Sequence, residues 1–194
     1  MASFAPGGPR TFKFEQSDLK GFLDQRHKDG VCAALVIEWL AGGGDLSRQR
    51  PTRGIKTKQR IEKLQDRVMS GGIFDAFQEY GLVRAGGDDI ISSEGRSTDD
   101  LVSFICGTIS YYYIALNASD DVGHALGAIT GDHCGKYFDP NGQESTFDRN
   151  LAQYRSTVKG ALVYHQTFGL GNIIVVRLSP LAKLATTHLR RMPR

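Results

Sequence analysis

Apolar residues are spaced differently in the two halves of the chain. In the first half they recur at helical intervals, so that Leu35 and Trp39 lie on one face of a helix predicted over 32–41. In the second half they gather into short runs rich in β-branched and aromatic residues, such as 111–116. Helices followed by strands predict an α+β fold, in which N-terminal helices pack on a C-terminal antiparallel sheet.

The same patterns place the remaining elements. Helices are predicted in four further segments: 18–25 with Ser17 as its N-cap, 61–69, 73–80 and 151–156. Strands are predicted in five segments: 111–116, 120–130, 134–139, 161–165 and 173–178. Segment 101–106 fits either a helix or a strand. Three segments lack periodicity and are predicted to be loops: 1–14, 48–60 and 86–100.

Cys32 is the first residue of the apolar helix. Gly30, just before it, can adopt backbone angles that turn the chain, and 42–44 is a run of three glycines that ends the helix. The unpaired N–H groups and the dipole at a helix N-terminus favour an anion, here a thiolate, which is the nucleophilic form of cysteine. The alternative is a small core residue, because free cysteine is among the residue types most often buried.

His124 lies on a predicted strand beside small residues, which leave room for a second element to approach. The next strand ends at Asp139, and 131–133 forms the turn between the two. If the strands pair as a hairpin, His124 and Asp139 meet near the same end, where the acid can orient the imidazole toward a thiol. The alternatives are a structural histidine and a turn acid ahead of Pro140.

Other residues with suitable chemistry have weaker contexts. His133 is a rival base, but a turn holds an imidazole less rigidly than a strand does. The remaining histidines have no comparable context: His27, His165 and His188. Two cysteines lack a helix start and are predicted to be inert: Cys106 and Cys134. Asn141 and Asp148 are interpreted as turn and cap residues.

The motifs together resemble a known family. Gly-Val-Cys ahead of an apolar Trp-Leu helix, then a histidine strand followed by Tyr-Phe-Asp-Pro-Asn, is similar to the YopT/AvrPphB family of bacterial effector cysteine peptidases. The resemblance spans about 20–178 and implies a papain-like fold. It implies Cys32 as nucleophile, His124 as general base and acid, and Asp139 as the orienting acid.

The resemblance also implies a domain division and an oxyanion hole. We expect a flexible N-terminal segment over 1–16, a papain-like catalytic domain over 17–180 and a basic C-terminal tail over 181–194. The family pattern places a side-chain oxyanion donor near His27, whereas chemistry alone favours the amide of Gln25. The backbone N–H of Cys32 would be the second donor.

Composition is consistent with one globular domain. The chain has 194 residues, which is long enough for one domain with a substantial core. No apolar run approaches the ~20 residues that a membrane helix needs, and no Sec-type signal is visible near Met1. Three cysteines without metal-ligand spacing argue against a disulfide framework or a zinc site. We therefore expect neither a metal nor a cofactor.

The formal net charge is only +3, but basic residues are concentrated in two places, 48–60 and 183–194. These segments could attract an acidic partner or an anionic membrane surface, although a solvated loop and a frayed end explain them more simply. Nucleic acid is an unlikely partner, because the basic run has no aromatic residues for base stacking.

The function expected from these observations is that of a thiol-dependent endopeptidase. The resemblance implies a secreted bacterial effector or toxin that acts in the target-cell cytosol on a host signalling protein or a rival-cell protein. A chaperone or an immunity protein would be its partner. Two alternatives stay open: a papain-like glutamine deamidase or transglutaminase toxin, and a non-catalytic binding module on the same fold.

Overall fold

The structure is a computed structural model that describes residues 10–12, 30–45, 55–117 and 123–181. Within these ranges there are five helices: α1 Cys32–Ala41, α2 Ile55–Met69, α3 Ile73–Glu79, α4 Thr98–Cys106 and α5 Leu151–Thr167. The strands are β1 Arg10–Phe12, β2 Leu82–Arg84, β3 Ile90–Ser92, β4 Ser110–Asn117, β5 Gly123–Thr130, β6 Cys134–Asp139, β7 Gln143–Asp148 and β8 Asn172–Pro180.

All the described strands belong to one antiparallel sheet. Their order is β1-β7-β6-β5-β4-β8-β2, and β3 also pairs with β8. In the middle of the sheet β4 pairs with β5 on one side and with β8 on the other. Strands β5, β6 and β7 follow one another as hairpins. The predicted α+β layout with an antiparallel sheet is confirmed.

The sheet lies between two layers of helices, because its strands bury both faces. In β8, Val176 and Leu178 pack in the core beneath α1, whereas Ile173 and Val175 pack in a second core with α4 and α5. Alternate residues of a strand point to opposite faces, so a strand covered on both sides is apolar throughout. This explains why 173–176 is one continuous apolar run.

Helix α1 is packed closely on β5. A Cβ atom added to Gly127 would lie 2.7 Å from the Trp39 ring, so this strand position leaves room for nothing beyond a hydrogen. The prediction that small residues near His124 allow a second element to approach is therefore confirmed. Beyond the end of α1, the Lys136 ammonium group donates to the carbonyl oxygens of Gly43 and Gly44 at 3.2 and 3.0 Å.

Glu38 is a charged residue on the otherwise apolar α1. Arg60 of α2 donates to both carboxylate oxygens, at 2.8 and 2.9 Å, and the Tyr80 hydroxyl donates at 3.2 Å. Burial raises the pKa of Glu38, and the Arg60 charge and the hydrogen bonds oppose that rise. A buried carboxylate is tolerated because these donors replace water. The cluster fastens α1 to α2.

Two helical segments differ from the sequence predictions. Segment 161–165 is part of helix α5, which extends well beyond the predicted 151–156. Its Ala161, Leu162 and His165 are buried at helical spacing, and this packing outweighs the β-like composition of the run. Segment 55–60 belongs to helix α2 and is not a loop.

Several short elements were missed. Strands β2 and β3 have three residues each, too few for a visible alternation, and β7 has the polar sequence Gln-Glu-Ser-Thr-Phe-Asp. Strand β1 lies within 1–14, and β3 lies within 86–100, both of which were predicted to be loops. Segment 101–106 is helical, because Ser97 and Asp100 form a capping box at the start of α4. Ser17 and 18–25 lie outside the described residues.

Candidate functional site

Cys32 is the first residue of α1, as predicted. Gly30 has φ 135°, a left-handed conformation that favours glycine, and it turns the chain into the helix. The N-cap residue Val31 forms no side-chain cap, and the first turn contains no acidic residue. The positive end of the helix dipole therefore meets the Cys32 side chain without competition from a neighbouring carboxylate in that turn.

Gln65 of α2 fastens the first turn of this helix from outside. Its side-chain oxygen accepts the backbone N–H of Ala34 at 3.1 Å, in a buried position. The amide of Leu35 is already bonded to the Val31 carbonyl. Gln65 therefore pairs an N–H group that the helix itself leaves unpaired, close to the cysteine. Sequence reasoning missed this residue, because its partner lies 31 positions away.

His124 and Asp139 meet as the hairpin prediction requires. Strands β5 and β6 are antiparallel neighbours, and both residues lie at the same end of the pair. The Nε2 atom of His124 is 2.8 Å from Oδ1 of Asp139. His124 is 4% exposed and Asp139 is fully buried. An ionised carboxylate can be kept in such a place only when it is paired.

The loop after β6 adds a further contact to Asp139. The backbone N–H of Asn141 donates to Oδ1 at 2.8 Å, and its side-chain nitrogen lies 3.5 Å from Nδ1 of His124. Burial acts to raise the pKa of Asp139, but the hydrogen bond from His124, the nearby His165 imidazole and the His124 charge hold it well below its usual range. Asn141 was interpreted as a turn residue; it also belongs to the site.

The Cys32 side chain contacts the same imidazole. Burial lowers the pKa of His124, but the hydrogen bond to Asp139 and the contact with the Cys32 sulfur outweigh burial and raise it to about 10. The ring is then a cation at neutral pH, placed between a carboxylate and a thiol. Because Asp139 occupies Nε2, Nδ1 is the ring nitrogen left for the sulfur.

His165 lies at this site too, so the expectation that it has no comparable context is wrong. Its Nε2 atom is 3.6 Å from Oδ2 of Asp139, and its ring centroid is 5.0 Å from that of His124. His165 is buried near the end of α5. Sequence reasoning missed His165 because 161–165 was predicted to be a strand. Only in a helix does His165 lie on the same buried face as Ala161 and Leu162.

The other candidates are not brought to the site. His133 is exposed in the turn before β6, at the opposite end of that strand from Asp139. Cys134 begins the same strand, and Cys106 ends α4, where burial raises the pKa of its thiol to about 11. Three predicted candidates lie outside the described residues: Gln25, His27 and His188.

One group of side chains in the described part of the chain has the ligand types of a metal site. His124, Asp139 and His165 bring three ligand atoms within 4.8 Å of one another. The 2.8 Å separation of His124 Nε2 and Asp139 Oδ1 is that of a charge-assisted hydrogen bond. A proton shared by His124 Nε2 and Asp139 Oδ1 therefore explains why these two atoms lie so close together. A metal ion bound to both atoms would have to displace that proton.

The comparisons with known proteins concern the fold. The structure is similar to that of AvrPphB, an avirulence protein of Pseudomonas, with a TM-score of 0.59 and 16% sequence identity over 85% of this chain and all of that one. A YopT domain from the PfhB2 toxin of Pasteurella multocida also matches, at 20% identity over 84% of this chain and 89% of its own, with a TM-score of 0.25. The chain therefore has the α+β papain-like fold of AvrPphB.

Comparison of the sequence alone assigns the chain to no family. No protein-family model matches the chain, and no curated protein matches it. Among the described helices, none combines the length and the apolar character needed to cross a membrane.

Proposed function

We propose that the protein is a thiol-dependent endopeptidase whose catalytic residues are Cys32, His124 and Asp139. The observation that carries the proposal is the placement of one buried imidazole, bonded to Asp139 at 2.8 Å through Nε2, in contact with the Cys32 side chain. Nucleophile, base and orienting acid in this order make up a catalytic triad. The AvrPphB-like fold supports the proposal at the level of architecture.

The reaction is an acyl transfer in two steps. The Cys32 sulfur attacks the carbonyl carbon of the scissile amide, and His124 donates its proton to the leaving amine as the C–N bond breaks. A thioester remains on Cys32. Water then attacks the thioester while His124 accepts a proton from it, and the acid product leaves as the thiolate is restored. Asp139 keeps the imidazole oriented and stabilises its positive charge.

The oxyanion of the tetrahedral intermediate needs hydrogen-bond donors. The backbone N–H of Cys32 is one, because it belongs to the first turn of α1 and has no partner within the helix. Gln25 or His27 is the second, and the two alternatives are separated by substituting each in turn. Loss of such a donor lowers kcat by roughly 10²–10³.

The biological setting that we propose is inferred from the shared fold. AvrPphB, whose fold the chain shares, is an avirulence protein, and this favours a secreted bacterial effector or toxin acting in the target-cell cytosol. Its substrate would be a host signalling protein or a protein of a rival cell, and a chaperone or an immunity protein would accompany it. Basic side chains of 48–60 would guide it to an acidic surface, although Arg60 is already paired with Glu38.

The test is a proteome-wide comparison of protein N-termini. The wild-type protein and Cys32→Ala are incubated under reducing conditions with a eukaryotic lysate and with a bacterial lysate. We expect new N-termini at one or a few sites, dependent on Cys32, and these name the substrate and its kingdom. Cys134→Ala is the matched control and is expected to cleave like wild type.

The same experiment separates the alternatives. Glutamine-to-glutamate changes or glutamine cross-links that depend on Cys32, without new N-termini, would replace the endopeptidase by a deamidase or transglutaminase. Identical products from wild type and Cys32→Ala in both lysates would contradict a catalytic role and favour a binding module.

A further inference from the structure

Asp139 has two carboxylate oxygens in different surroundings. Oδ1 accepts from both His124 and the backbone of Asn141. Oδ2 is fully buried and has no partner within hydrogen-bonding distance. The proposed triad uses only Oδ1, so it leaves the second oxygen of a buried carboxylate unexplained. A buried charged oxygen without a partner is costly, and such oxygens are rare in folded proteins.

The nearest partner for that oxygen is also unsatisfied. Nε2 of His165 is buried without a hydrogen bond, and it lies 3.6 Å from Oδ2. One atom is a strong acceptor, and the other becomes a donor when it carries the ring proton. Two complementary unpaired atoms so close together form a hydrogen bond after a small rotation of either side chain, or through one bridging water.

The fold holds His165 at this distance. It lies near the end of α5, and its backbone carbonyl accepts the N–H groups of Phe168 and Leu170, which end the helix. The Tyr164 ring packs edge-on against the imidazole, with centroids 5.3 Å apart. On the other side its ring lies 5.0 Å from that of His124.

We propose that His165 is a positioning residue of the site, whose Nε2–H donates to Oδ2 of Asp139 and keeps the carboxylate turned so that Oδ1 stays on His124. The inference rests on the proposed function, because it assigns a role within the same site. With both oxygens held, the carboxylate cannot rotate away from the imidazole. The site is then a relay of four side chains, in which α5 acts on Cys32 through Asp139 and His124.

Several polar groups face this relay and set its charge. They come from α1, from strands β4 and β6, from the loop after β6 and from α5: Cys32, Tyr113, Tyr137, Asp139, Asn141 and His165. Burial raises the pKa of both tyrosines, and the neighbouring Cys32 or Asp139 adds to the rise. The tyrosines therefore stay neutral, and the anion that faces the imidazole from this set is the Asp139 carboxylate.

The experiment measures the ionisation of His124 by NMR. Histidine side chains are labelled with ¹⁵N, and the His124 signals are identified by their loss in His124→Gln. The pH is then varied in the wild type, His165→Leu and His165→Gln. Leucine removes the donor at similar volume, whereas the glutamine amide can place a donor near the position of Nε2. His133→Leu is the matched control, because His133 is an exposed histidine.

We expect His124 to titrate near pH 10 in the wild type and in His133→Leu. In His165→Leu the midpoint should fall toward the ordinary value of a histidine, because the carboxylate no longer holds its orientation, and Cys32-dependent cleavage should fall by about 10-fold. In His165→Gln the His124 midpoint and the rate of cleavage should both return most of the way to their wild-type values. Circular dichroism of each variant checks that the fold is kept.

Failure of this inference differs from failure of the proposed function. If the wild type titrates near pH 10 and His165→Leu titrates at the same midpoint, His165 is not a positioning residue, and the triad stands. If His165→Leu is unfolded, the test rests on His165→Gln, whose amide supplies a donor. A folded His165→Gln variant in which the His124 midpoint still falls toward the ordinary value of a histidine overturns the inference. If the wild type shows no cleavage that depends on Cys32, the proposed function fails, whatever the midpoint of His124.

Discussion

At the scale of single residues, Asp139 determines which nitrogen of His124 can serve Cys32. The ionised carboxylate accepts only, so it keeps a proton on Nε2, which lies 2.8 Å away. In the proposed mechanism, Nδ1 is then the nitrogen that exchanges a proton with the Cys32 sulfur. The site therefore depends on the charge of Asp139 as well as on its shape.

Asp139→Asn keeps the shape and removes the charge. Its amide can donate to Nε2 and so favour the tautomer with the proton on Nδ1, which cannot accept the thiol proton. We expect Cys32-dependent cleavage to fall by at least ~10²-fold, the lower range that general acid–base catalysis supplies. The rate is measured on the substrate found in the proteome comparison. Asp148→Asn, an exposed acid at the end of β7, should cleave like wild type.

The pKa of His124 also predicts how stability depends on pH. A histidine whose pKa rises from about 6.5 to about 10 on folding stabilises the protein fully below about pH 6.5, and this contribution is lost as pH rises through about 10. The free energy of unfolding of wild type minus that of His124→Gln should therefore decrease between pH 6.5 and pH 10. Urea denaturation at pH 6, 8 and 10 measures it, and a constant difference would contradict the prediction.

The residues of the proposed triad could be singled out from the sequence because each has a local signal. A glycine turn and an apolar run mark Cys32, and a short hairpin joins His124 to Asp139. Gln65 and His165 have no such signal, because each acts on a residue far away in the chain. Their roles depend on packing between elements, which periodicity alone does not describe.

At the scale of elements, the position of α1 on the sheet depends on close packing at Gly127. An added Cβ would lie 2.7 and 2.8 Å from two atoms of the buried Trp39 ring and 3.3 Å from Val36. A buried ring cannot move aside without displacing its own neighbours. The distance between α1 and β5 therefore controls how closely Cys32 approaches His124.

Gly127→Ala should force α1 away from the strand. We expect the free energy of unfolding to fall by about 1–3 kcal/mol, as is typical of overpacked cores. Chemical denaturation measures the change. Gly171→Ala is the control, because no atom lies within 4 Å of its added Cβ. Equal stability of the two variants would show that α1 is not packed on β5 at this distance.

The hydrogen bond from Ala34 to Gln65 makes a second prediction at this scale. Gln65→Met keeps the length of the side chain but leaves a buried N–H unpaired at the start of α1. It should lower the free energy of unfolding by about 1–3 kcal/mol. Gln59→Met, at an exposed position of the same helix, should change it by less than about 0.5 kcal/mol. If the two variants had the same denaturation midpoint, the hydrogen bond from Ala34 to Gln65 would not contribute to stability, and the prediction would be wrong.

Most long elements could be predicted from sequence, but of α5 only the first part, 151–156, could be. The run Ala-Leu-Val-Tyr-His has the composition of a strand, but its buried side chains pack at helical spacing against α4 and the sheet. The short strands β2 and β3 pair with 178–180 and 174–176 of β8, so their conformation depends on a partner about ninety residues away.

At the scale of the whole molecule, the site lies where elements from both faces of the sheet meet. Cys32 comes from α1 on one face, His165 comes from α5 on the other, and the paired strands β5 and β6 place His124 and Asp139 between them. Three layers must therefore be assembled before the four side chains can meet. No local segment of the chain could form the site alone.

Contact with His124 should make Cys32 an activated thiol. Site-resolved alkylation of the native protein at pH 7 measures this activation, with the rates for Cys32, Cys106 and Cys134 read from their peptides by mass spectrometry. We expect Cys32 to react at least ~10-fold faster than the other two, and His124→Gln to remove this advantage. If Cys32 reacts no faster than Cys134, or if its rate is the same in His124→Gln, then His124 does not activate the Cys32 thiol.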